Sequence, residues 1–177
     1  NGRLAMRMED LTTGAAPVAE AEQLGDLAEI GLTWDGPITR QSEHAERYRS
    51  ALMQLEDEGR TYPCFCSRRE IREAAAAPHG EVGLGAYPGS CRTLGSVERE
   101  RRAESRPPAL RLDAGAAEVQ VTDALKGPLT STVDDFVLRR GDGVAAYNLA
   151  VVVDDAAEGV EQVVRGLGHL AQALGVR

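Results

Sequence analysis

Apolar residues recur along the first third of the chain at helical spacing. Val18, Ala21, Leu24, Leu27 and Ile30 predict a helix over 17–30, with Pro17 suited to its first turn and Gly31 to its stop. A second stripe, Ala45, Tyr48, Leu52 and Leu55, predicts a helix that starts near Ser42 and closes at Gly59. Before these, Arg3 to Met8 reads as a short strand ending in Glu9-Asp10, and Trp34-Asp35-Gly36-Pro37 reads as a turn.

Beyond residue 60 the pattern shortens. Tyr62 to Cys66 reads as extended. Ser67-Arg68-Arg69-Glu70 then has the S-x-x-E form of a capping box, which predicts a short helix stopped by Pro78. Residues 79–91 are Gly-rich and loop-like, and 96–106 read as a short charged helix. Ala109 to Asp113 and Val119 to Thr122 read as strands of a small sheet. Phe136 to Arg139 and Val144 to Tyr147 flank Gly141-Asp142-Gly143, a hairpin signal. Leu149 to Val153 is a continuous apolar run, for which periodicity does not separate strand from buried helix. Val160 to Arg165 reads as a strand and His169 to Leu174 as a helix. The two ends, 1–60 and 131–177, read as parts of one layered α/β domain, and 61–130 as an insertion.

Composition narrows the class. The 177 residues are 42% hydrophobic and 27% charged, ordinary globular values, while aromatics at 4% leave the core to Leu, Val, Ala and Ile. The net charge of −8 argues against broad non-specific nucleic-acid binding, which needs a basic face. Local clusters remain at Arg68, Arg69 and Arg72, and at Arg99, Arg101, Arg102 and Arg106, with a solvated helix face as the plain alternative. No apolar run reaches membrane-span length and no leader pattern is visible, so a cytoplasmic protein is expected.

The three cysteines, Cys64, Cys66 and Cys91, are the candidate chemistry. On an extended segment, Cys64 and Cys66 present both sulfurs to one face, and Cys91 returns after the glycine-rich loop. Three thiolates suit Zn²⁺, which wants a fourth donor, and His79 and Tyr87 are the nearest. Three unpaired thiols, or one disulfide with an odd thiol, are the competing readings.

Taken in order, the motifs resemble the glutamyl-Q tRNA(Asp) synthetases, shortened relatives of glutamyl-tRNA synthetase in the class I superfamily. The carrying segments begin with Arg7-Met8-Glu9-Asp10, Gly31-Leu32-Thr33-Trp34-Asp35-Gly36-Pro37 and Gln41-Ser42-Glu43. Tyr62-Pro63-Cys64-Phe65-Cys66-Ser67-Arg68, Tyr87-Pro88-Gly89-Ser90-Cys91-Arg92 and Asp135-Phe136-Val137-Leu138-Arg139-Arg140 follow. The strongest run is Ala146-Tyr147-Asn148-Leu149-Ala150-Val151-Val152-Val153-Asp154-Asp155, then Val163-Val164-Arg165-Gly166.

The resemblance implies a Rossmann-like class I catalytic domain with a small zinc-binding insertion. It implies structural zinc on Cys64, Cys66, Tyr87 and Cys91, with His79 as competitor for the fourth position. It places Glu9, Tyr147 and Arg165 around the amino acid: Glu9 on the ammonium, Arg165 on the side-chain carboxylate, Tyr147 as a hydroxyl donor. It implies glutamate, ATP with Mg²⁺, and tRNA(Asp) carrying queuosine as partners, with the protein expected as a monomer. No catalytic residue is singled out. The family's ATP-binding signature before the first strand and its KMSKS-like loop lie outside these 177 residues. Thr12 stands where the family commonly has Asp, and Gly166 runs into Leu167-Gly168-His169 where the family has a longer Asp-rich stretch. Two alternatives accompany this reading: a catalytic fragment of a glutamyl-tRNA synthetase, and a non-catalytic zinc-stabilised tRNA-binding module.

Overall fold

The computed structural model describes residues 2–11, 17–75 and 87–164. Two compact units divide between Arg47 and Tyr48.

The first unit is a crossover. Strand β1 (Arg7–Met8) leads through helix α1 (Pro17–Glu29) to strand β2 (Thr39–Arg40), and the strands pair in parallel, Arg7 with Thr39 and Met8 with Arg40. Parallel neighbours need such a helical return, because a tight turn can join only antiparallel strands. β1 is shorter than the extended stretch read from Arg3. β2 went unread, since Ile38-Thr39-Arg40 is too short to show alternation. After β2 the chain turns into a 3-10 segment, Gln41–His44, and then helix α2 (Ala45–Asp57), so the helix expected near Ser42 begins with a tightened turn. Asp10, just past β1, receives the Ser42 amide at 2.8 Å and the Ser42 hydroxyl at 2.6 Å. Those bonds outweigh the opposing effect of burial and hold the Asp10 carboxyl below its ordinary value.

The second unit is built on a three-stranded antiparallel sheet of order β3-β4-β7: β3 (Thr61–Cys64), β4 (Ala109–Leu112) and β7 (Val137–Arg139). Cys64 pairs with Ala109 and Leu110 with Arg139. Helix α3 (Arg68–Ala75) follows β3, and helix α4 (Ser96–Ser105) precedes β4. Strands β5 (Glu118–Asp123) and β6 (Gly127–Thr132) form a separate ribbon whose strands are nowhere buried, with Leu125 96% exposed at its tip. β6 was not anticipated; the Lys126-Gly127 turn before it is its only local signal.

The hairpin signal at Gly141 is half realised. Arg139 bridges to Ala145, but the return arm gives way to helix α5 (Tyr147–Glu158). Gly141 is needed for close approach, since a Cβ there would lie 2.8 Å from the Pro107 carbonyl oxygen. The undecided apolar run 149–153 is helix, with Leu149, Ala150 and Val151 buried. Gly159, at φ 72°, closes α5 in the left-handed conformation. The strand expected from Val160 does not form through Val164. Its valines stay exposed, Val164 at 90%, and β-branched residues favour strands only where a neighbour is there to pack against. The helix expected at 169–174 lies outside the described residues. None of the described helices is long and apolar enough to cross a membrane.

Candidate metal centre and its supporting network

The end of β3 places Cys64 inward, and the chain continues through Phe65 to Cys66 and straight into α3. The S-x-x-E sequence closes there as a reciprocal capping box. The Ser67 amide donates to Glu70 Oε2 at 2.5 Å, and the Glu70 amide donates to Ser67 Oγ at 3.2 Å. This fixes the direction in which the chain leaves Cys66. Bonds from the Ser67 side chain and then its amide, aided by Arg106, hold the Glu70 carboxyl down to about 2. A folded-state value below the ordinary one means the contribution is present above pH 4.5 and is lost as pH falls through about 2. An NMR titration of the Glu70 carboxyl carbon should therefore show a midpoint far below 4.5, returned towards it by Ser67→Ala. A parent midpoint at the ordinary value would contradict the cap.

Tyr87 and Cys91 come back over this turn. The three sulfurs lie within 4.8 Å of one another. Cys66 Sγ is 3.5 Å from Cys91 Sγ, and the Tyr87 hydroxyl is 3.4 Å from Cys64 Sγ and 3.7 Å from Cys66 Sγ. A tetrahedral zinc with Zn–S of about 2.3 Å and Zn–O of about 2.0 Å has ligand–ligand edges of about 3.5–3.8 Å. The spacing and the S₃O donor set thus fit the ion. The surroundings fit as well: Cys91 is 0%, Cys64 2% and Tyr87 7% exposed, within an apolar cluster that includes Phe65, Ile71 and Leu94. All three thiols are free, so no disulfide competes.

Backbone donors already serve these atoms. The Phe65 amide points to Cys91 Sγ at 3.5 Å, and the Cys91 amide donates to the Tyr87 hydroxyl oxygen at 2.9 Å. From the protein's own groups alone, burial pushes the Cys66 thiol up to about 12 and, with the Cys64 hydrogen bond, raises the Tyr87 phenol too. For Cys91, bonds from Tyr87 and the Phe65 amide outweigh burial and lower it. Metal binding needs these donors deprotonated, and a divalent cation at their centre would favour that form.

Behind the cluster lies a buried polar network that the sequence did not announce. Asp135, 2% exposed, accepts the Tyr62 hydroxyl, Arg92 Nε at 2.9 Å, Arg92 Nη2 and, through Oδ1, the Ala114 amide at 3.1 Å. Its neighbour Asp134 receives the Tyr87 amide at 3.1 Å. The Arg111 guanidinium lies over the Tyr87 ring, 3.8 Å from its centroid. Arg106 donates to the Phe65 carbonyl at 2.7 Å. In α4, Arg101 and Arg102 both pair with Glu98.

Of the residues expected around an amino acid, Glu9 and Tyr147 are among the described ones, each on its own unit. Glu9 is on the first unit, beside a cavity of about 980 Å³ also lined by Asp10, Glu20 and Arg40, the last two ion-paired. Tyr147 is the first residue of α5, 45% exposed, on the second unit. Arg165 and His79 lie outside the described residues.

Residues 1–174 match the family described as tRNA synthetases class I (E and Q), catalytic domain. The chain is 56% identical over 165 residues to the glutamyl-Q tRNA(Asp) synthetase of Nocardia farcinica, covering 93% of this chain and 52% of that protein. It is 48% identical over 166 residues to the protein of that name in Cutibacterium acnes, covering 92% and 46%. The chain therefore spans about half the length of the curated relatives it matches. Among solved structures, a glutamate tRNA ligase from Elizabethkingia meningosepticum, crystallised with its amino acid, superposes with a TM-score of 0.77 at 24% identity. That match covers 98% of this chain and 39% of the other, and it carries the fold alone. Together these place the chain in the class I tRNA synthetases for glutamate and glutamine, with the catalytic-domain fold of that family.

Proposed function

We propose that the polypeptide to which this chain belongs activates glutamate with ATP and transfers it to queuosine in tRNA(Asp). The observation that carries this reading is the S₃O cluster of Cys64, Cys66, Tyr87 and Cys91, found in a chain 56% identical to a protein named for that reaction. Residues 61–130 act as the connective insertion and carry the cluster, between the two parts of the catalytic domain at 1–60 and 131–177.

Cys64, Cys66, Tyr87 and Cys91 would hold zinc with no open position. The ion would fasten β3, the start of α3 and the 87–91 turn together, a structural rather than catalytic duty. Glutamate carries one ammonium and two carboxylates, and the chain supplies the matching charges. Glu9 faces the ammonium, Arg165 takes the side-chain carboxylate, and Tyr147 donates its hydroxyl. A forked guanidinium on that carboxylate separates glutamate from neutral analogues. ATP, with Mg²⁺, is the second substrate. Attack of the α-carboxylate on its α-phosphorus gives the adenylate and pyrophosphate, and the queuosine hydroxyl then displaces AMP. Exposed Arg68 and Arg69, with Arg72, are the phosphate contacts of the insertion. We place the protein in the cytoplasm, where charged tRNA is used, and read it as a monomer.

Pyrophosphate exchange on the full polypeptide tests the first step. Exchange that depends on glutamate and proceeds without tRNA is the expected result. No exchange under any condition would leave the non-catalytic tRNA-binding reading in its place.

A further inference from the structure

Arg111 is a cation where the strand pattern calls for none. It sits on β4 between two buried leucines, Leu110 and Leu112, and is itself only 6% exposed. Buried guanidinium groups ordinarily sit against a carboxylate. Here the adjacent carboxylate, Asp135, is occupied by Tyr62, Arg92 and the Ala114 amide, and Arg111 reaches only the Asp135 backbone carbonyl, at 2.5 Å. Arg111 Nε is buried with no hydrogen-bond partner. What the guanidinium does face is the ring of Tyr87, 3.8 Å from its centroid.

That arrangement is costly for the protein alone and sensible beside a metal. Three thiolates and a phenolate around Zn²⁺ leave a buried site with a net charge of −2, which a nearby cation offsets. A planar guanidinium stacked on the ring also fixes the direction of the phenol oxygen, and the face of an aromatic ring attracts a cation. The Asp135 carbonyl holds the guanidinium, the guanidinium holds the ring, and the ring delivers its oxygen to the sulfurs.

We propose that Arg111 is the positioning residue that makes Tyr87 the fourth zinc ligand, by clamping its ring and compensating the charge of the all-anionic site. This rests on the zinc reading above. Outer partners of metal ligands commonly set affinity by about 10- to 100-fold, and Arg111→Met is expected to weaken zinc binding within that range.

The test is a chelator competition for zinc on the parent protein, Arg111→Met, Arg111→Lys, Tyr87→Cys and the double variant, with Co²⁺ spectra of each. Arg111→Met should weaken zinc in the Tyr87 protein and shift the cobalt bands. In the Tyr87→Cys background no ring is left to clamp and only the charge compensation remains, so the loss should be several-fold smaller. Arg111→Lys keeps the charge but not the flat face, and should fall between. Equal losses in both backgrounds would mean a general packing role and overturn the proposal. So would an Arg111→Lys protein with parental affinity and spectrum, which decides the matter even if Arg111→Met does not fold. A parent that binds no zinc overturns the zinc reading and this inference with it, whereas a parent that binds zinc beside an indifferent Arg111→Met overturns this inference alone.

Discussion

Cys91→Ser should abolish zinc binding and unfold the region around β3 and α3 well before the rest of the protein. Cys91 is 0% exposed and central: its sulfur lies 3.5 Å from Cys66 Sγ, and its amide binds the Tyr87 hydroxyl. A serine oxygen is a poorer zinc donor, and removing the sulfur leaves Cys64, Cys66 and Tyr87 as buried polar groups without their common partner. Structural zinc sites contribute about 10–16 kcal/mol in isolated fingers, where folding and binding are one event. In a larger domain with its own core, a loss on the order of 5 kcal/mol is expected, which lowers Tm by roughly 10–20 °C. Zinc per chain by plasma emission, with calorimetry on the same samples, measures both. A chelator should reproduce the effect in the parent and add little to the variant. A variant that keeps its zinc and its Tm would remove Cys91 from the metal site.

The second large effect is expected at Asp135. Asp135→Ala should cost about 3 kcal/mol, at the low end for a broken buried ion pair because Arg92 is 39% exposed. The aspartate is the acceptor for four donors: the Tyr62 hydroxyl, two nitrogens of Arg92 and the Ala114 amide. Removing it strands the Tyr62 hydroxyl in the core, where burial and Asp135 already raise its phenol well above the ordinary value. Asp135→Asn keeps the shape but turns two donors towards groups that are themselves donors, so it should recover little. Urea unfolding followed by fluorescence gives both numbers. If Asp135→Asn matched the parent, charge would play no part, and the network would be a matter of shape.

What the sequence disclosed depended on how local the cause was. The capping box, the α1 helix and the convergence of the C-x-C sulfurs are written within a few residues, and each appears in the structure, although the strand ends at Cys64 rather than Cys66 and Ile30 lies exposed beyond the helix. Cys91 was reachable because thiols are rare in this chain and carry their chemistry with them, whereas Tyr87 stood beside His79 as fourth donor until the family resemblance favoured it. Arg111 and Asp135 were not. In Ala-Leu-Arg-Leu an arginine between leucines reads as the solvent side of an alternating strand, yet this strand is covered on both faces. Asp134-Asp135 reads as a polar turn before β7, because the donors that bury it come from Tyr62, Arg92 and Ala114, far away in sequence. The stretch at 160–164 failed for the opposite reason: its valines favour a strand, but pairing is a property of a neighbour, and none stands beside it among the described residues.

The most direct measurement of the central claim is where labelled glutamate ends up. The full polypeptide, ATP and glutamate are offered three RNAs: tRNA(Asp) bearing queuosine, the same tRNA with unmodified guanosine at the wobble position, and tRNA(Glu). The account predicts label only on the first, and there in the nuclease fragment that contains the anticodon rather than in the 3′-terminal one. Label on the 3′ end of tRNA(Glu) would contradict it and mark the chain as part of a glutamyl-tRNA synthetase.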